Sequence, residues 1–204
     1  MHINYLKYFA GLSLVAVLVL PTYLYLSVSP QFRGLIIENT EKEAERVSNH
    51  LASMFLPEGK REIGRDVHAM LSMRDKEIRA VFNVEKIKLF LPSGEILFSS
   101  DSKDIGKINQ KNYFKEIVAQ GNKFSKLVEK DHKTAEGRLV EVDVVEIYVP
   151  IVRKGEFIGA FEIYYDITES MDRLDKLLMH VYFILSLISG TLLLALFVIF
   201  DRAS

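Results

Sequence analysis

Two long apolar runs limit what this chain can fold into. Residues 8–28 contain no charged side chain, and in residues 177–200 the one side chain that can take a charge near neutral pH is His180. A helix needs about 20 apolar residues to cross the hydrocarbon core of a bilayer, and both runs are long enough. We therefore predict two transmembrane helices, with residues 1–7 and 201–204 on the cytoplasmic side.

The first run has a second interpretation, a cleavable signal peptide. Signal peptides have an apolar stretch of roughly 7–15 residues followed by a small-x-small cleavage site. Here the apolar stretch is longer, and no such site follows it. The sequence thus favours an anchor that is retained in the mature protein.

The segment between the runs, residues 29–176, has the composition of one soluble domain. It contains 24 Lys and Arg residues against 26 Asp and Glu residues, which excludes a broad basic surface for nucleic acid. The chain has no cysteine, which excludes disulfides, thiolate metal sites and attached c-type haem. A long loop is translocated largely regardless of its charge. The chain also has no Asn-X-Ser/Thr glycosylation sequon, which fits a bacterial periplasm. We therefore predict a multi-pass protein of the bacterial inner membrane, with this domain in the periplasm or outside the cell.

Hydrophobic periodicity divides the domain into helices followed by strands. Apolar residues at three- and four-residue steps predict two helices, over residues 31–56 and 63–82. Alternating apolar residues predict five strands, over residues 86–91, 96–100, 124–130, 139–151 and 156–166. A short helix is expected between the second and third strands. This order is that of an α+β domain, with long N-terminal helices packed on a five-stranded antiparallel sheet.

The fourth predicted strand changes phase along its length. Polar side chains occupy the odd-numbered positions 141 and 143, but from Val145 onward the odd-numbered positions are apolar. A phase change of one residue is typical of a β-bulge, which bends a strand. We therefore predict a bulge near Val144.

Two phrases of the sequence resemble one family. "DIGKINQKNYFKEIVAQG" resembles a segment of Cache sensor domains in which a Gly-Lys turn precedes a basic residue, an aromatic pair and a short helix ending in Gly. "YVPIVRKGEFIGAFEIYYDIT" resembles their closing hairpin, which ends in Asp-Ile-Thr before the exit helix. With the order of elements, the likeness covers residues 31–177. It implies a single PAS-like, extracytoplasmic Cache domain of a bacterial transmembrane receptor, such as a sensor histidine kinase, a diguanylate cyclase or a chemoreceptor.

The resemblance implies a small-molecule pocket between the concave face of the sheet and the segment around the aromatic pair. In family members that bind amino acids, this segment has an Arg, a spacer and two aromatic residues. The matching residues here are Lys111, Asn112, Tyr113 and Phe114. Lys is a point charge and lacks the planar fork with which Arg holds a carboxylate. We therefore expect a small-molecule ligand of anionic character and do not carry amino-acid recognition over to this chain.

The last two strands supply the remaining candidate site residues. Apolar side chains occur at both odd- and even-numbered positions of residues 156–166. We therefore expect the long helices to pack on one face of this strand and the pocket to lie on the other. Tyr148, with Tyr164 or Tyr165, is then a candidate pocket residue. Asp166 is a candidate for the position that accepts the ligand's amine in related domains. Ordinary roles fit as well, with the lysine in solvent and the tyrosines in the core.

Residue types that would signal other activities are scattered. His50, His68 and His132 have no further His or carboxylate at metal-ligand spacing, and no nucleophile stands beside a base. We expect no metal, no cofactor and no enzymatic activity within residues 1–204. Ser186 and Gly190 stand four residues apart in the second apolar run, and such a step permits close packing of helices in lipid. It predicts a homodimer formed through the transmembrane helices.

Two classes of function remain. The first is the ligand-sensing input module of a signal-transduction receptor, foremost a two-component sensor histidine kinase, whose last strand passes the binding signal to the second transmembrane helix. The chain ends four residues after that helix, and we interpret this as a cut before a cytoplasmic histidine kinase or diguanylate cyclase domain. The second class is a two-span membrane scaffold or assembly protein whose outer domain binds a protein partner.

Overall fold

The computed structural model of the chain describes residues 2–56, 63–135, 137 and 140–203. It divides into two compact units. One unit consists of the two chain ends, Met1–Ile36 and Ser170–Ser204. The other unit, Ile37–Glu169, contains all the strands, and we call it the sheet domain.

The N-terminal part of the chain is helical. Helix α1 spans His2–Tyr23, one wider turn of π-helix covers Leu24–Val28, and helix α2 begins directly after it, over Ser29–Phe55. Pro21 lies inside α1. A proline leaves a helical carbonyl without its partner, and a nearby π turn is a common adjustment. Residues 8–28 are thus helical throughout, and their crossing of a membrane stays a prediction.

The last helix is the longest. Helix α5 spans Thr168–Ala203, which is 36 residues. Within the described part of the chain, the segment Thr168–Ile199 is the one helix that is long and apolar enough to cross a membrane. Except for its final residue, the span predicted over residues 177–200 lies within this apolar segment.

Five antiparallel strands form one sheet in the sheet domain. They are β1 (Lys86–Phe90), β2 (Ile96–Ser99), β3 (Phe124–Val128), β4 (Val144–Arg153) and β5 (Glu156–Asp166). Their order across the sheet is β2-β1-β5-β4-β3, so the last strand of the chain is the central one. Between β2 and β3 lie helix α4, Asn112–Glu116, and two short 3₁₀ turns at Ser102–Asp104 and Val118–Gln120. The predicted α+β class and the five-stranded antiparallel sheet are confirmed.

One face of the sheet is apolar, as expected of a face that packs on helices. Side chains alternate along a strand, and those at one parity are nonpolar and buried, including Ile147 and Ile163. Helix α2 and helix α3, Arg65–Phe82, each bury an apolar stripe of their own. A hydrogen bond from the Ser100 hydroxyl to Oδ1 of Asp75 (2.6 Å) holds α3 beside the end of β2.

The predicted fourth strand is wrong at its start. The described residues 140–143 belong to the connection before β4, where Oδ1 of Asp143 accepts the backbone N–H of Lys130 at 2.8 Å. The bulge predicted near Val144 is also wrong, because the pairing of β4 with β5 is regular from Val144 to Ile151 and shifts after Ile151. The phase change in the sequence therefore marks the end of a loop.

Candidate functional site

The second face of the sheet carries ionisable and hydroxyl side chains at its centre. The register of β1, β5 and β4 sets two rows of neighbours across these strands. One row is Lys88, Glu162 and Tyr148, and the other is Lys86, Tyr164 and Glu146. None of these six residues is more than 4% exposed. We call them the polar cluster.

A buried ion pair lies at the centre of the polar cluster. Nζ of Lys88 is 2.9 Å from Oε2 of Glu162 and donates to the hydroxyl oxygen of Tyr164 at 3.2 Å. The Tyr164 hydroxyl is 2.6 Å from Oε1 of Glu162 and 3.2 Å from Oε1 of Glu146. Buried charges are costly unless further hydrogen bonds satisfy them, and here the tyrosine hydroxyl supplies such a bond.

A chain of hydrogen bonds leads from the polar cluster towards α4. Tyr148 donates its hydroxyl proton to Oε1 of Glu146 at 2.9 Å. The 3.0 Å contact between the hydroxyl groups of Tyr113 and Tyr148 therefore has Tyr113 as its donor, since each hydroxyl has one proton. Nδ2 of Asn109 in turn donates to Tyr113 at 2.8 Å. All donors thus point the same way, from Asn109 towards Glu146.

Helix α4 places its aromatic pair against the sheet. Tyr113 stacks on Phe124 of β3 with ring centres 4.5 Å apart, and the buried Phe114 lies 5.2 Å from Phe90 of β1. Burial raises the pKa of Tyr113 to about 12, although the hydrogen bonds to its oxygen oppose the shift. Tyr113 therefore stays protonated, and stays a donor, at neutral pH.

The connection between β3 and β4 begins with residues 129–135, which we call the β3–β4 segment, and this segment contacts the polar cluster at its end. The backbone N–H of Ala135 donates to Oε2 of Glu146 at 2.7 Å, and the neighbouring Thr134 is buried. Residues 136, 138 and 139, which come after the segment, lie outside the described part of the chain. Glu146 thus ties the segment to the centre of the sheet.

A pocket of about 310 Å³ opens beside the polar cluster. Its lining includes Lys86, Asp104, Lys107, Asn109, Lys111 and Gly137. Three of these side chains are ammonium groups and one is a carboxylate, so the lining carries a net positive charge. Lys86 belongs to the polar cluster and Asn109 to the hydrogen-bond chain. Both residues connect the pocket to the central strands.

Asp104 is held by lysines from two sides. Nζ of Lys86 donates to its Oδ2 at 2.5 Å, and Nζ of Lys107 donates to its Oδ1 at 2.8 Å. Burial opposes ionisation of this carboxyl group, but the hydrogen bonds from Lys107 and Lys86 outweigh it and lower the pKa of Asp104 to about 2. Asp104 is therefore an anion at neutral pH, and it holds the ammonium groups of Lys86 and Lys107 together.

Glu162 shows the opposite shift. Burial raises the pKa of this carboxyl group, the ammonium of Lys88 opposes the rise, and the hydrogen bond and repulsion of Glu146 add to it, so that the pKa is about 7. Near neutral pH this side chain changes its protonation state with small changes in acidity.

Four of the predicted site residues meet on this side of the sheet. Tyr113, Phe114, Tyr148 and Tyr164 pack or hydrogen-bond in or beside the polar cluster. Tyr165 has the opposite parity and lies within electrostatic reach of charged residues on α2. The open choice between Tyr164 and Tyr165 therefore falls on Tyr164. Contact of these residues with a ligand stays a prediction.

The other two predicted residues lie apart from the polar cluster. Lys111 is exposed at the pocket, directly before α4. Asp166 is exposed at the end of β5, where its Oδ1 accepts the backbone N–H of Thr168 at 2.9 Å. The contact that the structure gives Asp166 is thus a cap on the start of α5, and a role in holding a ligand's amine stays a prediction.

The sequence interpretation missed the charged members of the site. They are Lys86, Lys88, Glu146, Glu162 and the adjacent Asp104. The four strand residues stand among apolar neighbours in "KIKLFL", "VEIYV" and "AFEIYY". Charged residues are almost never buried unless they are paired, so isolated charges in three apolar strands were the available signal. In the described residues, no three His, Asp or Glu side chains are grouped so as to hold a metal ion.

Comparison with known proteins identifies similar folds. No protein-family model and no curated protein sequence matches the chain. The sensor domain of DcuS from E. coli matches with a TM-score of 0.51 and 13% identity, over 69% of this chain and 98% of that domain. The ligand-binding domain of the Campylobacter jejuni chemoreceptor Tlp3, in complex with 4-methylisoleucine, matches with a TM-score of 0.55 and 17% identity. The same domain in complex with L-norvaline matches with a TM-score of 0.51 and 16% identity.

The extent of these matches differs. The two Tlp3 structures cover 78% and 82% of this chain, whereas the chain spans only 62% and 63% of their length. At such low identities the likeness concerns the fold. The chain has the fold of these sensor and ligand-binding domains, which is the fold that the resemblance to Cache domains predicted.

Proposed function

We propose that this chain is the ligand-sensing part of a bacterial membrane receptor. The observation that carries the proposal is the pocket of about 310 Å³ beside α4. It lies next to the polar cluster, and a chain of hydrogen bonds leads from its lining to the central strands. The fold supports the proposal, since the similar structures include a sensor domain and the ligand-binding domain of a chemoreceptor.

The ligand is a small anion in this proposal. The pocket volume lies at the lower end of the range of small-molecule sites. Lys107 and Lys111 are exposed at the pocket, where hydrogen bonds from ammonium groups to an anion are strong. Asp104 already binds Lys86 and Lys107, and a bound carboxylate or phosphate would compete with it for them.

The binding signal passes through β5 in this proposal. Asn109 lines the pocket and begins the hydrogen-bond chain to Glu146, which is the register neighbour of Tyr164 on β5. Strand β5 ends at Asp166, and α5 begins at Thr168. A displacement of β5 would therefore reach α5 through a single residue. Coupling between sites of this kind typically amounts to ~1–3 kcal/mol.

The proposal also assigns a place in the cell. Residues 8–28 and 177–200 cross the bacterial inner membrane, and the domain between them lies in the periplasm or outside the cell. The apolar helix over Thr168–Ile199 supports the second crossing. Two copies pair through the transmembrane helices, and the output is that of a two-component histidine kinase, with a diguanylate cyclase as the alternative.

Thermal unfolding of the whole chain in lipid nanodiscs tests the proposal. The chain has no tryptophan, so far-UV circular dichroism is a better monitor than fluorescence. The probes are succinate, acetate, inorganic phosphate and L-valine, with uncharged glycerol as a control. A ligand at 100 times its dissociation constant stabilises the folded state by about 2.7 kcal/mol, which is several degrees for a domain of this size.

Two lysine variants locate the contact. Lys111→Ala is expected to reduce the shift caused by the active anion. Lys115→Ala is the matched control, because Lys115 is exposed on α4, four residues after Lys111, but does not line the pocket. A shift that persists in Lys111→Ala would contradict the predicted contact but would still support the sensing role. Absence of a shift with every charged probe would contradict the anionic ligand.

A further inference from the structure

Two carboxyl groups lie side by side in the buried centre of the sheet. Glu146 and Glu162 are both 0% exposed, and each has an oxygen within hydrogen-bond distance of the single hydroxyl of Tyr164. A hydroxyl has one proton, so it can donate to only one of the two carboxyl groups at a time. Two ionised carboxylates that share a site repel each other, and a proton held between them removes the repulsion.

Apart from Lys107, which also contacts Asp104 but is exposed to solvent, the charges around the pair balance only if it holds a proton. Strand β1 contributes the buried ammonium groups of Lys86 and Lys88, and Lys86 is paired with Asp104. The ammonium of Lys88, which is paired with Glu162, then faces two carboxyl groups. If both were ionised, the site would carry a buried net charge of −1, whereas one shared proton makes it neutral.

Other titratable groups lie on each element next to the pair. They are Tyr164 on β5, Tyr148 on β4, Tyr113 on α4, Lys126 on β3 and His132 in the β3–β4 segment. Tyrosine hydroxyl groups are neutral near pH 7. The ammonium of Lys126 donates to the carbonyl of Lys133 at 2.9 Å, and Nδ1 of His132 contacts the carbonyl of Lys130 at 3.0 Å. The counter-charge for the second carboxylate is therefore best supplied by a proton.

We propose that Glu146 and Glu162 form a proton-binding site, and that loss of its proton loosens the β3–β4 segment from the sheet. The domain then responds to the acidity of its surroundings. This response is a second input, independent of the small molecule of the proposed function. The raised pKa of Glu162 supports the assignment.

Ala135 connects the proton to the β3–β4 segment. Its backbone N–H donates to Oε2 of Glu146, so the segment depends on the position of that carboxyl group. With one proton, Glu146 and Glu162 attract each other through a hydrogen bond. Without it they repel, and the repulsion is relieved when Glu146 and the segment move away from β5.

Binding of the proton predicts the direction in which the stability of the fold changes with pH. The pKa of Glu162 is about 7 in the folded state, against an ordinary value of 4.5. Between these values the folded state binds more protons than the unfolded state, so stability falls as the pH rises. The stabilisation is complete below about pH 4.5 and is lost above about pH 7.

Infrared spectroscopy of the whole chain in nanodiscs tests the proton directly. Ordinary Asp and Glu side chains are ionised at pH 6, so a protonated carboxyl band at that pH reports a perturbed group. We expect this band at pH 6, its loss by pH 8.5, and its absence at both pH values in Glu162→Gln. A wild-type spectrum without the band at pH 6 would overturn the proposal.

Thermal unfolding and hydrogen exchange test the consequence. The wild-type midpoint should fall by several degrees between pH 5.5 and pH 8, and Glu162→Gln, a neutral isostere, should remove most of that fall. Glu156→Gln, exposed on the same strand, should leave it unchanged.

Protection of the Ala135 amide, corrected for intrinsic exchange, should drop at least tenfold over this range in the wild type but not in Glu162→Gln. Equal pH slopes in wild type and Glu162→Gln, or constant protection of Ala135, would overturn the proposal. None of these measurements uses a ligand, so a negative result would not bear on the proposed binding of a small anion in the pocket.

Discussion

Lys88 and Glu162 face each other on neighbouring strands, with Nζ 2.9 Å from Oε2 and side chains that are 1% and 0% exposed. Such a pair contributes little beyond what well-packed apolar side chains would give, but it is costly to break on one side. The centre of this sheet is therefore sensitive to the loss of either charge.

Lys88→Met is expected to destabilise the folded state by about 3–5 kcal/mol at pH 8, because it leaves a buried carboxylate without its counter-charge. The loss should shrink at pH 5.5, where Glu162 takes up a proton, since its pKa is about 7 even with Lys88 present. Chemical denaturation at the two pH values measures both numbers. The double variant Lys88→Met/Glu162→Gln is the control and should recover most of the loss. Equal losses at both pH values would contradict the expectation.

Tyr148→Phe is expected to cost about 1.5–3 kcal/mol, because its hydroxyl donates to the buried carboxylate of Glu146. Tyr165→Phe is the matched control on the other face of the sheet. The Tyr165 hydroxyl is buried and has no hydrogen-bond partner among the described residues, so its removal should be neutral or slightly stabilising. Urea denaturation of both variants measures the difference. Similar losses in the two variants would contradict this assignment.

Gly159→Ala is expected to destabilise the fold by about 3 kcal/mol or more. Gly159 has a φ of +154°, and a Cβ there would lie 2.7 Å from Cδ1 of Ile63 and closer still to the carbonyl oxygen of Phe90. Gly106→Ala is the control, because Gly106 also has a positive φ but open space around it, and should cost only about 1–2 kcal/mol. The midpoints of thermal unfolding compare the two. A Gly159→Ala midpoint as high as that of Gly106→Ala would contradict the close approach.

Asp104→Asn is expected to lower stability at pH 7 by about 1 kcal/mol, a value reduced because the carboxyl group is partly solvated. The pKa of Asp104 is lowered from 3.8 to about 2. Its ionised form therefore contributes stability above about pH 4, and this is lost as the pH falls through 2. The difference between variant and wild type should accordingly vanish in strong acid. Glu95→Gln, exposed near the same turn, is the control.

Sequence periodicity predicted the strands well and their ends less well. The strand expected over residues 156–166 coincides with β5, whereas the strands expected over 86–91, 96–100 and 124–130 end one or two residues earlier in the structure. The end of a strand depends on where its partner stops pairing. That information lies in a distant part of the chain and not in the strand's own alternation.

Which residues belong to the site also depends on how distant strands pair. Tyr113 and Phe114 were found because they stand in a recognisable phrase, and Tyr148 because its strand alternates. The burial of Lys88 becomes apparent only when β1 is set beside β5 and Glu162 becomes its neighbour. Taken alone, "KIKLFL" is also what an ordinary half-exposed strand looks like.

The position of β5 has a consequence for how the domain is made. This last strand lies between β1 and β4, so without it the sheet separates into the ribbons β1–β2 and β3–β4. A two-stranded ribbon is marginally stable at best in water. The complete sheet therefore cannot assemble until the ribosome has passed Asp166, and a chain that stops earlier lacks the strand that joins the two ribbons. Nascent chains of this protein must remain open until almost the whole domain has been synthesised.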